Sequence, residues 1–240
     1  MRTRWNWLQL PILTVAFLAA CSQSSTEEPY SVSIDPEDFV QRIDNPYFPL
    51  LPGTTHSYEG LTPDGHERIE DVVTYETKQV MGVTCVVVHN TVTLDGELIE
   101  ETYDWYAQDR QGNVWYFGEE TREFEGGTPV TTAGSWEAGV DGALPGIIMP
   151  ADPQVGDVYR QEYYAGEAED MAEVLSLSES ITGPYGSFEG VLLTRDWTPL
   201  EPSIAEHKYY APGVGLIREV LVQGGSGMVE LVEISLEGGG

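Results

Sequence analysis

Apolar and polar residues alternate along most of the chain from residue 53 onward, and a period of two is typical of β-strands with one buried face. Two aromatic-rich runs flank the polar segment 109–113, which predicts a hairpin over 103–117 with Gly112 in its turn. The same pattern predicts further strands at 54–59, 67–79, 83–94, 128–133, 158–164, 173–182, 187–197, 205–211, 215–222 and 228–236. The predicted fold class is therefore all-β and antiparallel.

Three segments depart from the alternation. Residues 35–44 predict one short N-terminal helix, because Asp35 can cap it and Pro36 suits its first position. Residues 45–53 contain three prolines and predict an extended segment. Residues 135–155 are rich in glycine and proline, which predicts a long ordered loop, and loops of that length are often functional.

The pattern also predicts an internal repeat. Gly53 and Gly156 are 103 residues apart, and Ala107 and Ala211, which follow similar aromatic runs, are 104 apart. Residues 35–240 are therefore interpreted as a single β domain of two repeats of about five strands, 53–134 and 156–236, joined by loop 135–155. Because five strands with one apolar face need a partner layer, the repeats should form curved sheets as a half-barrel or sandwich. The alternative is that turn residues recur by chance in a meander.

The first residues predict export. Two arginines precede an apolar run that is too short to span a bilayer, which is typical of a signal peptide over 1–20. Leu18-Ala19-Ala20-Cys21 resembles the lipobox of bacterial lipoproteins, and this implies cleavage before Cys21 and its acylation. Residues 21–34 would then be a lipidated tether on a membrane, facing the periplasm or the cell exterior. The alternative is an ordinary signal peptide with an incidental cysteine.

Charge and cysteine content narrow the function. The chain has 11 basic and 40 acidic residues and a net charge of −29. Such a surface repels nucleic acid, so nucleic-acid binding is excluded. After cleavage at Cys21 only Cys85 remains, which rules out an intramolecular disulfide, and its apolar neighbours disfavour a nucleophilic role.

Several motifs resemble an uncharacterised family of bacterial extracytoplasmic lipoproteins. They are Asn45-Pro-Tyr-Phe-Pro-Leu, Trp105-Tyr-Ala-Gln-Asp109, Gly112-Asn-Val-Trp-Tyr116 and Tyr209-Tyr-Ala-Pro-Gly-Val-Gly215. The last motif is more loosely similar to proteins with a LolA-like half-barrel. The resemblance implies a fold and a location, and it implies no catalytic residue.

No motif for catalysis, a cofactor or a metal stands out. Residues 95–101 and 109–113 only faintly resemble calcium loops and are explained as hairpin turns. The four histidines are scattered, so no metal ligand is assigned and no cofactor is expected.

Aromatic and acidic residues near the long loop are the candidate ligand-binding residues: Trp105, Trp115, Trp136, Glu137, Asp141 and Tyr209. They predict a non-enzymatic binding lipoprotein for a hydrophobic or glycan ligand. One alternative is a glycan hydrolase that uses Glu137 and Asp141 as paired carboxylates. Others are a structural or assembly role in the cell envelope, with Trp136 as a plug of the sheet.

Overall fold

The computed structural model describes residues 30–237, and within this range the chain from residue 32 onward forms one compact unit. Among the described residues the regular elements are strands and a single turn of 3-10 helix, Pro36–Asp38, so the all-β prediction is confirmed. The strands are β1 Phe39–Val40, β2 Thr54–Thr62, β3 Gly65–Val80, β4 Val83–Leu94, β5 Glu97–Asp109, β6 Val114–Glu125, β7 Thr128–Thr131, β8 Trp136–Glu137, β9 Leu144–Met149, β10 Val158–Arg160, β11 Glu162–Tyr163, β12 Met171–Thr182, β13 Ser187–Trp197, β14 Ala205–Ala211, β15 Gly215–Gln223 and β16 Gly227–Leu236. No helix within residues 30–237 is long and apolar enough to cross a bilayer.

The strands form one antiparallel sheet. Its order is β10-β12-β13-β14-β15-β16-β2-β3-β4-β5-β6-β9-β11, with β1 beside β5 and with β7 and β8 beside β6. The strands at the two ends of this path, β10 and β11, are separated in the chain by Gln161 alone. The sheet therefore rolls up into a nearly closed barrel, which leaves few unpaired strand edges. The predicted curved antiparallel architecture is confirmed, and the β16–β2 pair joins both halves in a single sheet.

Matching contacts occur in the two halves. The pairs β2–β3, β3–β4, β4–β5 and β5–β6 have counterparts in β10–β12, β12–β13, β13–β14 and β14–β15. Gly53 N donates to Val73 O at 2.7 Å, and Gly156 N donates to Val174 O at 2.8 Å. These contacts favour the two-repeat organisation, which stays a prediction.

Two predicted elements differ from the structure. The helix expected over 35–44 is the single turn Pro36–Asp38, after which β1 pairs with β5. Phe39 packs edge-on against Trp115 and Phe117, and this tertiary contact outweighs the local helix signal. The loop expected over 135–155 contains β8 and β9, which both pair with β6 and extend the sheet.

Residues 43–50 lie across one end of the rolled sheet, which we call the covered end. Asn45 Nδ2 donates to the carbonyl oxygens of Gly112 and Pro150, at 2.9 and 3.0 Å. Gly213 N donates to Pro46 O at 2.7 Å. Three of the motifs that carry the family resemblance thus meet at the covered end. Their contacts attach residues 43–50 to the β5–β6 and β14–β15 turns.

The side chains of the sheet fall on two faces, because successive residues of a strand point in opposite directions. Opposite residues in paired antiparallel strands share a face. Asp104 is opposite both Val88 and Glu119, and Lys208 is opposite both Thr194 and Glu219. We call the face that carries Asp104 and Lys208 the inner face, and the other the outer face.

Candidate functional site

The inner face of the first half carries two carboxyl groups that contact one tyrosine. Tyr116 Oη lies 2.6 Å from Asp104 Oδ1 and 3.0 Å from Glu119 Oε2. A tyrosine hydroxyl has one proton, so it can donate to one carboxylate and must accept from the other, which then carries a proton. Burial raises the pKa of Asp104 to about 6, although the Tyr116 hydrogen bond acts in the opposite direction. Three buried groups can therefore hold a shared proton near neutral pH.

Asp71 extends this polar row towards the second half of the molecule. Burial raises the pKa of Asp71 to about 6, and the amide of Asn90, which donates to its carboxylate, opposes that rise. The charges of Glu219 and Lys208 also act on the pKa of Asp71. β3 lies four strands from β14 along the sheet, and because the sheet is rolled, the inner face that carries Asp71 and Lys208 is concave.

Two more carboxyl groups with raised pKa lie farther from the covered end. Burial, followed by the charge of Glu219, raises the pKa of Glu67 to about 7. Burial, followed by the charge of Glu119, raises the pKa of Glu100 to about 7. Groups with perturbed pKa that share one concavity are candidates for a functional site, although structural networks can also produce them.

The second half contributes a buried ammonium among carboxylates, which we call the lysine cluster: Lys208, Asp196, Glu206 and Glu219. Lys208 Nζ lies 3.6 Å from Asp196 Oδ2, 3.8 Å from Glu206 Oε2 and 3.6 Å from Glu219 Oε2. Burial lowers the pKa of Lys208, but the three carboxylates more than reverse this and hold the pKa well above its ordinary value. The ammonium is therefore charged over the whole physiological range.

The position of Asp196 is fixed by neighbouring side chains. Thr194 Oγ1 donates to Asp196 Oδ1 at 2.5 Å, and Gln161 Nε2 donates to Asp196 Oδ2 at 3.1 Å. Beside it, Tyr159 is opposite Ala172, which in turn is opposite Asp196. The small side chain of Ala172 leaves the Tyr159 ring next to the lysine cluster, and Tyr159 Oη is buried without a hydrogen-bond partner among residues 30–237.

Aromatic rings connect the inner face to the segment after β7. Tyr106 stacks on Tyr116 with ring centroids 4.9 Å apart, and Trp136 packs edge-on against Tyr116 at 5.4 Å. Trp136 Nε1 donates to Glu162 Oε2 at 3.0 Å. Trp136 is the one sequence-predicted residue that these contacts place on the inner face, although its indole N–H already has a protein partner.

Trp105 and Glu137 meet on the outer face. The ammonium of Lys78 lies 3.1 Å from the centroid of the Trp105 ring and 2.8 Å from Glu137 Oε2. Trp105 is only 5 % exposed, so its ring is a packing surface for Lys78. Both side chains therefore lie on the face opposite the polar inner face.

The remaining candidates are dispersed. Trp115 Nε1 donates to Asp109 Oδ2 at 2.9 Å, which ties it to the β5–β6 turn. Tyr209 lies on the outer face beneath the Arg218 guanidinium, 5.9 Å from its ring centroid. Asp141 is exposed in a turn with φ near 50°, and Cys21 lies outside the described residues. The role of these residues in ligand binding stays a prediction.

The surroundings of His89 and Cys85 explain both as structural residues. His89 stacks on Tyr103 with centroids 4.4 Å apart and lies 3.0 Å from Glu101 Oε1. Burial raises the pKa of the Cys85 thiol to about 12, which leaves it protonated and unreactive. Within residues 30–237 no group of three or more His, Cys, Asp or Glu side chains is arranged to hold a metal ion.

The candidates predicted from the sequence lie on the same strands as the inner-face residues Asp104, Tyr116 and Lys208, but these three residues were not predicted. Each of these residues is the chain neighbour of a predicted candidate, namely Trp105, Trp115 or Tyr209. Because successive residues of a strand point to opposite faces, the three missed residues and their predicted neighbours lie on different faces of the sheet. One available signal was that the chain has only two lysines, Lys78 and Lys208. A lone lysine in an aromatic strand of a highly acidic protein suggests a buried charge partner.

Comparisons with known proteins give two solved structures as similar. A Bacteroides fragilis protein described as exported and as having a YMCC-like fold aligns with 79 % of this chain and 98 % of its own, at 17 % identity and a TM-score of 0.47. A Parabacteroides distasonis protein described as a lipoprotein aligns with the same shares, at 14 % identity and a TM-score of 0.39. No family model and no curated protein matches. At these scores the similarity carries no argument about function, and the LolA-like resemblance stays a prediction.

Proposed function

We propose that this chain is an extracytoplasmic protein, anchored through lipid on Cys21, that binds a glycan on its inner face without transforming it. The observation that carries the proposal is the polar character of that face. The interior of a rolled sheet that serves only as a core is filled by apolar side chains. Here the face carries charged groups instead, because Asp104 and Lys208 are buried on it and Asp71 is half-buried.

The inner face supports a polar ligand better than the hydrophobic one that the sequence left open. An apolar ligand would cover carboxylates and the Lys208 ammonium without offering a hydrogen bond, so any water bound to these groups would be lost without replacement. A glycan carries hydroxyl groups that both donate and accept. It can therefore replace the water that these groups lose.

Tyrosine rings supply the second element of glycan recognition. Tyr106 and Tyr116 form a stacked pair beside Asp104, and Tyr210 lies on the inner face two residues after Lys208 on β14. Mostly apolar walls with a few well-placed polar groups are typical of small-molecule sites. Sugar rings present apolar C–H faces to aromatic rings and hydroxyl edges to carboxylates, so this composition suits them.

Support for lipid anchoring comes from the leader. The basic residues, the apolar run and Leu18-Ala19-Ala20-Cys21 are the pattern that lipoprotein processing requires. A chain anchored in this way would hold its rolled sheet within reach of envelope glycans.

Calorimetry on the mature lipidated chain tests the proposal. The protein is purified in a polyoxyethylene detergent, which contains no sugar, and titrated with maltotriose, cellotriose and mannotriose. Fatty acid and phosphatidylethanolamine are offered in parallel, with bound lipid measured by mass spectrometry. We expect saturable binding of at least one saccharide and no stoichiometric lipid.

The other outcomes separate the alternatives. Stoichiometric lipid without saccharide would favour the hydrophobic ligand, and release of shorter sugars on incubation would favour a hydrolase. The contacts of Glu137 and Asp141 give no support to the hydrolase, because one carboxylate is paired with Lys78 and the other is exposed. Binding of neither class, with protein partners captured by cross-linking in cells, would favour an assembly role.

A further inference from the structure

The Lys208 ammonium lies slightly beyond direct hydrogen-bond distance of its three carboxylates. The nearest oxygen of each carboxylate is 3.6–3.8 Å from Lys208 Nζ. A polar contact longer than 3.5 Å can be bridged by a third group. A bridging group must accept a hydrogen bond from the ammonium and donate one to a carboxylate.

A second, independent observation points to the same place. Tyr159 Oη is buried, and among residues 30–237 it has no hydrogen-bond partner. Leaving a buried hydroxyl without a hydrogen bond destabilises the folded protein. Tyr159 shares the inner face with Asp196, because both residues are opposite Ala172 in the β10–β12 and β12–β13 pairs.

From this geometry we propose that Tyr159, Lys208 and Asp196 form the subsite that binds neighbouring hydroxyl groups of a neutral saccharide. The inference rests on the proposed function and names the part of the inner face that confers it. One sugar hydroxyl accepts from Lys208 and donates to Asp196. The next accepts from, or donates to, Tyr159 Oη.

Other ligand chemistries fit less well. An ammonium ligand can donate to the carboxylates but cannot accept from Lys208. A phosphate or carboxylate ligand can accept from Lys208 but is repelled by Asp196, Glu206 and Glu219. A metal ion is disfavoured by the ammonium at the centre of the cluster. Among these ligand chemistries, the hydroxyl group has the required donor and acceptor character without adding charge.

Tyr159→Phe is the sharpest test, because it removes a hydroxyl that has no partner in the described protein and keeps the ring. We expect the thermal unfolding temperature to be unchanged or slightly higher. Affinity for the saccharide that the wild type binds should fall about tenfold, the effect of losing one hydrogen bond of roughly 1.4 kcal/mol. Tyr185→Phe is the matched control, because Tyr185 is exposed and stacks on Phe188, and it should bind as the wild type does.

Two further measurements complete the test. Lys208→Met should abolish saccharide binding, and circular dichroism shows whether it folds; if it does not, Tyr159→Phe decides alone. Spermidine and inorganic phosphate should neither bind nor compete with the saccharide.

The outcomes distinguish the subsite from the proposed function. If the wild type binds no saccharide, the proposed function fails. If the wild type binds a saccharide and Tyr159→Phe binds it equally well, the proposed function stands and the subsite is wrong. Competition by spermidine, or a crystal structure of the complex with only water between Lys208 and Asp196, would also overturn the subsite.

Discussion

Single polar residues organise the turns and the interior of this protein. Asp109 is an example, because its carboxylate accepts hydrogen bonds at 2.8–2.9 Å from the backbone N–H groups of Gln111 and Asn113, from Asn113 Nδ2 and from Trp115 Nε1. These donors occupy the oxygens that made the segment resemble a calcium loop. The residue therefore stabilises the aromatic hairpin by itself.

Replacing Asp109 should destabilise the fold strongly. Asp109→Ala leaves four donors without their acceptor, and we expect the free energy of unfolding in urea to fall by about 3 kcal/mol. Asp38→Ala, at an exposed position in the 3-10 turn, should change it by less than about 0.5 kcal/mol. A loss of under 1 kcal/mol in Asp109→Ala would contradict this role.

The inner-face carboxyl groups predict how stability depends on pH. Glu67, Asp71, Glu100 and Asp104 have pKa values of about 6–7 in the folded chain, above the value of about 4 expected for unfolded carboxyl groups. Their contribution to stability is fully present below about pH 4 and is lost as the pH rises through 6 to 7. We therefore expect the unfolding temperature to be about 5 °C higher at pH 5 than at pH 8.

Calorimetric unfolding at both pH values, with variants, checks this dependence. Glu67→Gln mimics the protonated acid, so it should be more stable than the wild type at pH 8 and should show a smaller difference between the two pH values. Glu97→Gln, at an exposed site, should keep the wild-type difference. A wild type that is equally stable at both values, or more stable at pH 8, would refute the assignment.

At the scale of elements, the β16–β2 pair is the seam between the two halves. Gly60 on β2 is opposite Val229 on β16. A β-carbon at Gly60 would overlap the carbonyl oxygen of Met228 and lie 2.8 Å from Val229 Cγ1. The close approach of the two strands therefore depends on the absence of a side chain at this position.

Gly60→Ala should disrupt the seam. Because backbone atoms are in the way and cannot rotate aside, we expect a loss of about 3 kcal/mol or failure to fold, measured by chemical denaturation. Gly186→Ala is the control, since a β-carbon there would lie 3.6 Å from the Phe188 ring, an ordinary contact. If Gly60→Ala is as stable as Gly186→Ala, the β16–β2 pair does not depend on the close approach of its strands at Gly60, and the prediction is wrong.

At the scale of the whole molecule, an acidic chain with a net charge of −29 is unsuited to direct contact with anionic lipid headgroups. Its proposed residence at a membrane must therefore come from covalent lipid. Two or more acyl chains supply enough apolar burial for stable anchoring.

Cys21→Ala tests the anchor. We expect the wild type to incorporate labelled palmitate and to sediment with membranes, and the variant to lose the label and to appear in the aqueous phase of a detergent partition. Ser22→Ala, one residue away, should behave as the wild type. A labelled, membrane-bound Cys21→Ala would show that Cys21 is not the attachment site.

Much of the fold follows from local sequence. Alternation, turn glycines and the aromatic hairpin predict the strands because they depend on neighbours within a few residues. The same local reasoning failed at residues 35–44, where Phe39 packs against Trp115 and Phe117, which are distant in the chain. It failed again at β9. The glycine and proline content of residues 135–155 indicated a loop and could not predict that β9 pairs with β6.

The sequence by itself determined the strand class and the aromatic strands near which the candidate site lies. Only the tertiary structure decided which of their two faces turns inward. A strand shows period two on both faces, and here Trp105 and Tyr209 on one face are as aromatic as Tyr106 and Tyr210 on the other. The consecutive pairs β3–β4 and β4–β5 place Asp71 near Asp104, whereas rolling of the sheet through the β16–β2 pair brings Asp71 within electrostatic reach of Lys208. The inner-face residues of the aromatic hairpin therefore form one wall of the candidate site.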